Sequence, residues 1–236
     1  MSVFWPNELL SQVFNYLKED QATLAQLTLT SKQFRLVALP FLYYAPQWTR
    51  LSQIELFASV LNDNTGLMVH RIDLHMVSHR WQASASMLHH LRLITQKTPH
   101  LEWLNLDYCA RLTNMVFREM TAPLHDLRIL SVASCSLVGD DAMIDLPKHN
   151  PYLQEIYLGS TQVSDQTLEL LTQMKLLTHV SLKDCQQVTE RGVEILMNLK
   201  TLKSLDIEDC YNVLGDHPIP VIVDDEIDDL WIDIDE

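Results

Sequence analysis

Four cysteines and ten histidines are the side chains in this chain that could ligate a metal or, as thiolates, attack an electrophile. Cys109, Cys135, Cys185 and Cys210 are never close together along the chain. Zinc sites are built from close pairs such as C-x-x-C, and none is present. No cysteine is singled out as a nucleophile either, because all four hold the same place in one recurring pattern. His75 and His79 are four apart in a stretch that reads as strand and turn, which gives them no common face. His89 and His90 are neighbours on a helical stretch, where adjacent side chains diverge. A glycine-rich phosphate loop, a nucleophile elbow and a paired-carboxylate constellation are all missing, and the chain has only five glycines. The expectation is a protein that is not an enzyme and uses no metal and no cofactor.

The recurring pattern is L-x-x-L-x-L-x-x-C. It reads Leu101-Leu104-Leu106-Cys109, Leu127-Leu130-Val132-Cys135, Leu177-Val180-Leu182-Cys185 and Leu202-Leu205-Ile207-Cys210. A fifth copy, Leu153-Ile156-Leu158, puts Thr161 where the cysteine belongs. The copies therefore start at Leu101, Leu127, Leu153, Leu177 and Leu202, and Val69-Ile72-Leu74 fits the template upstream after a somewhat longer interval. This leucine spacing, with a period in the twenties, specifies a leucine-rich repeat, one short strand and a return segment per unit. Six units follow, with the first and last atypical.

A strand sends alternate side chains to opposite faces, so the fourth and sixth residues of each copy enter the core and those between them face out. The outward set begins with Arg71, Asp73 and His75 and includes Trp103, Asn105, Asp107, Tyr157, His179 and Lys183. The cysteine or threonine closes each strand, packing inward while its weak donor reaches backbone groups of the turn. Return segments read as helices: Ser164-Asp165 and Thr189-Glu190 supply N-caps and first-turn carboxylates for amphipathic runs. A longer return helix through Leu88, Leu91 and Ile94 follows the first unit.

The N-terminus reads as three short amphipathic helices. WPNELLSQVFNYL places Leu9, Leu10, Val13, Phe14 and Leu17 on one side of the first, with Pro6 near its first turn, where a missing N–H does no harm. Further apolar runs hold Leu24 and Leu27, then Phe34, Val37, Ala38 and Phe41. A core of about 45 residues is marginal alone and leans on a neighbour or partner.

Two resemblances arise from these residues. Cys109 to Leu112-Thr113 and Cys185 to Val188-Thr189-Glu190 resemble the cysteine-containing subclass of leucine-rich repeats, found mostly in F-box proteins, from Val69 to Gly215. Trp5-Pro6-Asn7-Glu8-Leu9-Leu10, continuing to Tyr16-Leu17, resembles the F-box, with Trp5 replacing the usual leucine; Ser31-Lys32-Gln33-Phe34 and Leu42-Tyr43 look like the end of that family's third helix. The resemblance implies an α/β repeat fold, a three-helix F-box followed by a leucine-rich-repeat solenoid of about six units. It assigns 1–45 to the F-box, 46–68 to a connecting helix and linker, 69–215 to the repeats and 216–236 to an acidic tail.

It also implies docking of Pro6, Glu8, Leu9, Leu10 and Leu17 onto the Skp-type adaptor of a Skp-cullin-F-box (SCF) ubiquitin ligase. The repeats would then recruit a target protein for ubiquitin-dependent proteasomal degradation, through Trp103, Asn105, Asp107, Tyr157, His179 and Lys183, with Trp103 and Tyr157 as the aromatic anchors. The alternative is a ligase-independent repeat scaffold, with the N-terminal helices only capping the solenoid.

Composition narrows the setting. Net charge is −14, but nine acidic residues and no Lys or Arg lie from Asp216 onward, leaving a nearly neutral body. Neither part has the basic stripe that nucleic-acid binding demands. No apolar run approaches the roughly 20 residues of a membrane helix, Leu36–Ala45 being divided by Pro40. The chain starts without the basic region of a secretory signal, and free cysteines suit a reducing cytoplasm or nucleus. In the tail, Ile219, Val221, Ile222 and Val223 beside Asp224-Asp225-Glu226 resemble a SUMO-interacting motif. A solvated tail and a strand covering the last repeat are the competing readings.

Overall fold

The computed structural model describes residues 5–77 and 84–214. His79, Gly215 and the whole tail, including Ile219, Val221, Ile222 and Val223, lie outside the described residues.

Three helices open the chain: α1 (Asn7–Asn15), α2 (Gln21–Thr30) and α3 (Lys32–Tyr44). Pro6 stands at the N-cap of α1, where it forfeits no helical hydrogen bond. Asp20 caps α2 by accepting the Thr23 N–H at 2.9 Å, and Ser31 caps α3 by accepting that of Phe34 at 3.1 Å. Leu10, Phe14, Leu24, Val37 and Ala38 form a small core of their own, with Phe14 and Phe34 edge to face at 5.6 Å. Pro40 does not interrupt α3, which runs through it to Tyr44.

The segment expected to hold a connecting helix and linker contains a helix and also packs as part of the solenoid core. Trp48 and the inward face of α4 (Leu51–Val60), with Ile54 and Ala58, join the same core as the repeats, and α5 (Asp63–Gly66) follows. Trp48 and Tyr43 both pack on Phe57, at 5.2 and 5.5 Å between rings. An open solenoid end exposes apolar core, and α4, packed beside the return helix Ala85–Thr95, extends and covers that core here.

Six three-residue strands follow: β1 (Arg71–Asp73), β2 (Trp103–Asn105), β3 (Ile129–Ser131), β4 (Glu155–Tyr157), β5 (His179–Ser181) and β6 (Ser204–Asp206). They form one parallel sheet in chain order, in the register Ile72, Leu104, Leu130, Ile156, Val180, Leu205. The return helices are α6 (Ala85–Thr95), α7 (Asn114–Thr121), the split pair α8 (Asp140–Met143) and α9 (Leu146–His149), α10 (Asp165–Leu171) and α11 (Glu190–Met197). The repeat leucines at the predicted inward positions, Leu104, Leu106, Leu158 and Leu182 among them, are completely buried.

Each cysteine is buried, as its position predicts, and three of the four tie two repeats together. Cys135, Cys185 and Cys210 donate to the carbonyls of Leu106, Leu158 and Leu182 in the preceding repeat, at 3.1, 3.2 and 3.0 Å. Thr161 instead donates to Leu158 of its own repeat at 2.6 Å. The residue before each is left-handed, from Tyr108 (φ 60°) through Ser134, Ser160 and Asp184 to Asp209. This bend turns the chain off the sheet, and the five repeats from β2 to β6 make it without glycine, at a cost of about 1–2 kcal/mol per residue.

A second ladder runs along the return side, built from the first residue of four of these helices, α7, α8, α10 and α11. Asn114 accepts the Gly139 N–H (2.9 Å), Asp140 that of Ser164 (2.9 Å), Asp165 that of Thr189 (2.8 Å) and Glu190 that of Leu214 (2.9 Å). The sequence alone assigns Asp165 and Glu190 only to their own helix N-termini. Ser164 does cap α10, accepting from Gln166 at 3.3 Å, whereas the Thr189 hydroxyl turns away from α11 and donates to Asp165 at 2.7 Å.

Candidate functional site

Among the described residues, the predicted site residues fall on two surfaces. The first lies on α1, whose apolar residues divide between two faces instead of sharing one. Leu10 and Phe14 turn into the three-helix core, at 5% and 3% exposed, with Leu17 half-buried beside them. Leu9, Val13 and Tyr16 turn outward, 46%, 53% and 89% exposed, next to exposed Pro6 and Glu8. Leu10 is therefore a core residue and not a presented one, which corrects the sequence expectation. Val13 and Tyr16, missed as surface residues, follow Leu9 at the i, i+4, i+7 spacing that marks one helix face. The start of α1 is held by Gln33, whose side-chain amide donates to the Trp5 carbonyl (2.5 Å) and to Asn7 Oδ1 (3.0 Å).

The second surface is the concave face of the sheet. It holds a hollow of about 710 Å³ bounded by Trp103, Tyr157, His179 and Lys183, with Asp107 at its edge. The parallel register sets the predicted residues in lateral rows. Trp103 lies between Arg71 and Ile129, and Tyr157 between Ser131 and Ser181. Trp103 is not an open anchor, because the Arg71 guanidinium stacks 3.6 Å from its ring centroid while bonding Asp73 at 3.1 Å. Its indole N–H is buried without an acceptor. Asn105 is wholly buried, between Asp73 and Ser131 of the adjoining strands, and its side-chain Oδ1 accepts the Asp107 N–H at 2.8 Å; it cannot touch a partner and leaves the candidate set. Tyr157 donates to Glu155 at 2.9 Å, Glu155 faces His179 at 4.0 Å, and Lys183 pairs with Glu208.

Sequence and structure comparisons place these surfaces in known modules. The COS11 F-box domain model matches residues 4–80. The leucine-rich repeats of the plant disease resistance protein RPS2-like type match residues 72–218, more than half of the chain. The chain is an F-box/leucine-rich-repeat protein. No curated protein matches it. Among solved structures it is similar to a chain of the yeast Rad7–Elc1 complex, with a TM-score of 0.53 and 18% identity, over 73% of this chain and 46% of that one. The chain thus spans about half the length of that relative. It is also similar to the TLR13–ssRNA13 complex, with a TM-score of 0.47 and 16% identity, over 67% of this chain and 25% of that one. For an internalin of Listeria monocytogenes the TM-score is 0.41 and the identity 16%, over 61% of this chain and 36% of that one.

In this F-box/leucine-rich-repeat protein the concave face carries an electrostatic cost. Burial pushes the Asp107 carboxyl up to about 6, although Ser131 Oγ (2.5 Å) and the Ala133 N–H (2.8 Å) donate to it, and the nearby Asp73 charge adds to the rise. A group that is costly to keep ionised, set at the edge of a hollow, is the kind of feature binding sites retain. The cysteines are the opposite case. Burial raises all four thiols, Cys135 to about 12 and Cys210 to about 11, which leaves them inert at neutral pH. Among the described residues no three His, Cys, Asp or Glu side chains converge to hold a metal ion, and no helix is long and apolar enough to cross a membrane.

Proposed function

We propose that this protein is the non-catalytic substrate-recognition subunit of an SCF-type ubiquitin ligase. In this reading the outward face of α1 docks a Skp-type adaptor, and through it a cullin, while the repeats hold a target protein for degradation in the cytoplasm or nucleus. The observation that carries the reading is the separation of two binding surfaces with different chemistry. One is an exposed apolar stripe, Leu9, Val13 and Tyr16, on a helix whose other face is already buried; the other is a hollow in the repeat sheet. The Rad7–Elc1 structure, itself a complex of two proteins, fits a chain that works while docked to another subunit.

The mechanism is proximity. A target held on the solenoid presents its lysines to a ubiquitin-loaded enzyme at high effective concentration, and the single continuous core from Trp48 to Cys210 keeps the recruiting face rigid. The test is calorimetric titration of the purified chain with a Skp-type adaptor, using wild type and Leu9→Asp. Wild type binds, and the variant loses affinity by several kcal/mol, because a carboxylate is buried unpaired in an apolar contact. Failure of the folded wild-type chain to bind refutes the ligase reading and leaves the repeat scaffold.

A further inference from the structure

The hollow on the concave face has a definite shape and a definite sign of charge. Small residues make the shape: Ser131, Ala133 and Gly159 occupy the middle of the sheet, with Trp103 to one side and Lys183 to the other. At Gly159 a Cβ would come within 3.1 Å of the Lys183 carbonyl oxygen, so the floor there is bare backbone.

Its lining carries four carboxylates, Asp107, Glu155, Asp184 and Asp209, against the two cations Arg71 and Lys183. Both cations are engaged by carboxylates just outside the lining, Arg71 by Asp73 and Lys183 by Glu208. The donors on Asp107 and Asp184 are neutral: Ser131 and Ala133 for the first, Ser160 (2.9 Å) and Gln186 (2.6 Å) for the second. These bonds orient the carboxylates without cancelling their charge. Neighbouring negative charge contributes to two ionisations. Asp107 is raised, first by burial and then by Asp73, and Lys183 is held above its ordinary value, first by its bond to Glu208 and then by the charges of Glu208, Asp206 and Asp209.

We infer that this hollow recruits an unphosphorylated basic segment of the target protein, its lysine or arginine head reaching Asp107, Asp184 and Asp209 while its stem lies along Tyr157 and Ile129. The inference rests on the reading of the repeats as the target-recruiting face. Lysine and arginine suit such a site because their stems are apolar and their heads are charged. A phosphorylated segment would bring a charge of about −1.5 to −2 into a site with no uncommitted arginine, whereas phosphate readers depend on arginine clusters. The chain's own segment 216–236, with nine acidic residues and no Lys or Arg, carries the sign the hollow repels.

The experiment uses the full-length chain and four fluorescein-labelled probes: degenerate peptide pools with fixed lysine and arginine, with fixed glutamate or with fixed phosphoserine, and a peptide of residues 216–236. Polarisation in low salt should show the basic pool binding about tenfold more tightly than the others, with the preference shrinking at 0.5 M salt, where the Debye length is only a few Å. The double variant Asp184→Asn with Asp209→Asn should weaken basic-pool binding by about threefold or more. Asparagine tolerates the left-handed backbone at both positions (φ 57° and 60°), so the fold is kept. Preference for the phosphoserine pool, preference for the 216–236 peptide, no binding by any pool, or unchanged binding by the double variant each overturns the inference. Adaptor capture is read in the same samples. If the adaptor binds while the basic pool does not, only this inference falls; if the basic pool binds while the adaptor does not, only the ligase reading falls.

Discussion

Replacing Asp140 should open the boundary between the third and fourth repeats of the sheet. Its carboxylate accepts four hydrogen bonds from the next repeat: the Ser164 N–H (2.9 Å) and hydroxyl (2.6 Å), and the Thr167 N–H (3.2 Å) and hydroxyl (2.6 Å). Asp140→Ala deprives all four donors at once, but unequally. Ser164 is half-buried and regains water, and the Thr167 N–H keeps the Ser164 carbonyl at 3.0 Å. The hydroxyl of Thr167, a fully buried residue, loses its acceptor out of reach of water. An orphaned buried donor costs about 1–3 kcal/mol and a resolvated one about 1, so the loss is about 2–4 kcal/mol. For a chain of this size that lowers Tm by about 5–15 °C. Urea unfolding followed by circular dichroism measures the loss. Adding Thr167→Val removes the orphaned donor, so the double variant should be less unstable than the sum of the singles by about 1–2 kcal/mol.

The pH dependence has a definite sign. Burial alone would raise the Asp140 carboxyl, but the bonds from Ser164 and Thr167 outweigh it and hold the pKa below 3.8. A lowered folded pKa gives stability that is whole above pH 3.8 and fades as pH falls from there through the folded value. The gap between wild type and Asp140→Ala should therefore be flat near neutrality and close in acid. A variant no more than about 0.5 kcal/mol less stable than wild type at neutral pH, or strict additivity with Thr167→Val, refutes the ladder as a stabilising device.

Asp107 works in the other direction: its folded pKa is raised from 3.8 to about 6, so stability present below pH 3.8 is lost as pH rises to about 6. Asp107→Asn should stabilise the chain by about 1–3 kcal/mol at pH 8 and by nothing near pH 3, measured by urea unfolding; a loss at pH 8 contradicts the burial cost. The four thiols should react slowly with a maleimide reagent at neutral pH in the native chain and quickly once denatured, and rapid native labelling of three or more shows the repeat register to be wrong. Leu10→Ala should cost about 2–5 kcal/mol of F-box stability, while Leu9→Asp should cost less than about 0.5. Equal effects on thermal unfolding would reverse the assignment of the two α1 faces.

The repeat architecture was legible in the chain because its signal recurs. A leucine period in the twenties specifies a strand and a return segment, alternation decides which residues enter the core, and a cysteine at one fixed position must share the environment of its equivalents. Three N-terminal helices were readable for a similar reason, since apolar spacing and caps are local. What the pattern did not carry was anything set between neighbours distant in sequence. Leu9 and Leu10 are equally apolar, and only the packing of α1 against α3 decides that one is buried and the other presented. Asn105 sits at an outward position but is walled in by the strands on either side, and Arg71, one repeat upstream, covers Trp103. The side-chain ladder along the return helices joins positions a full repeat apart that no local rule pairs. Periodicity determines a residue's place within its own repeat; parallel register determines which residue lies beside it, and the hollow and its charge belong to that second relation.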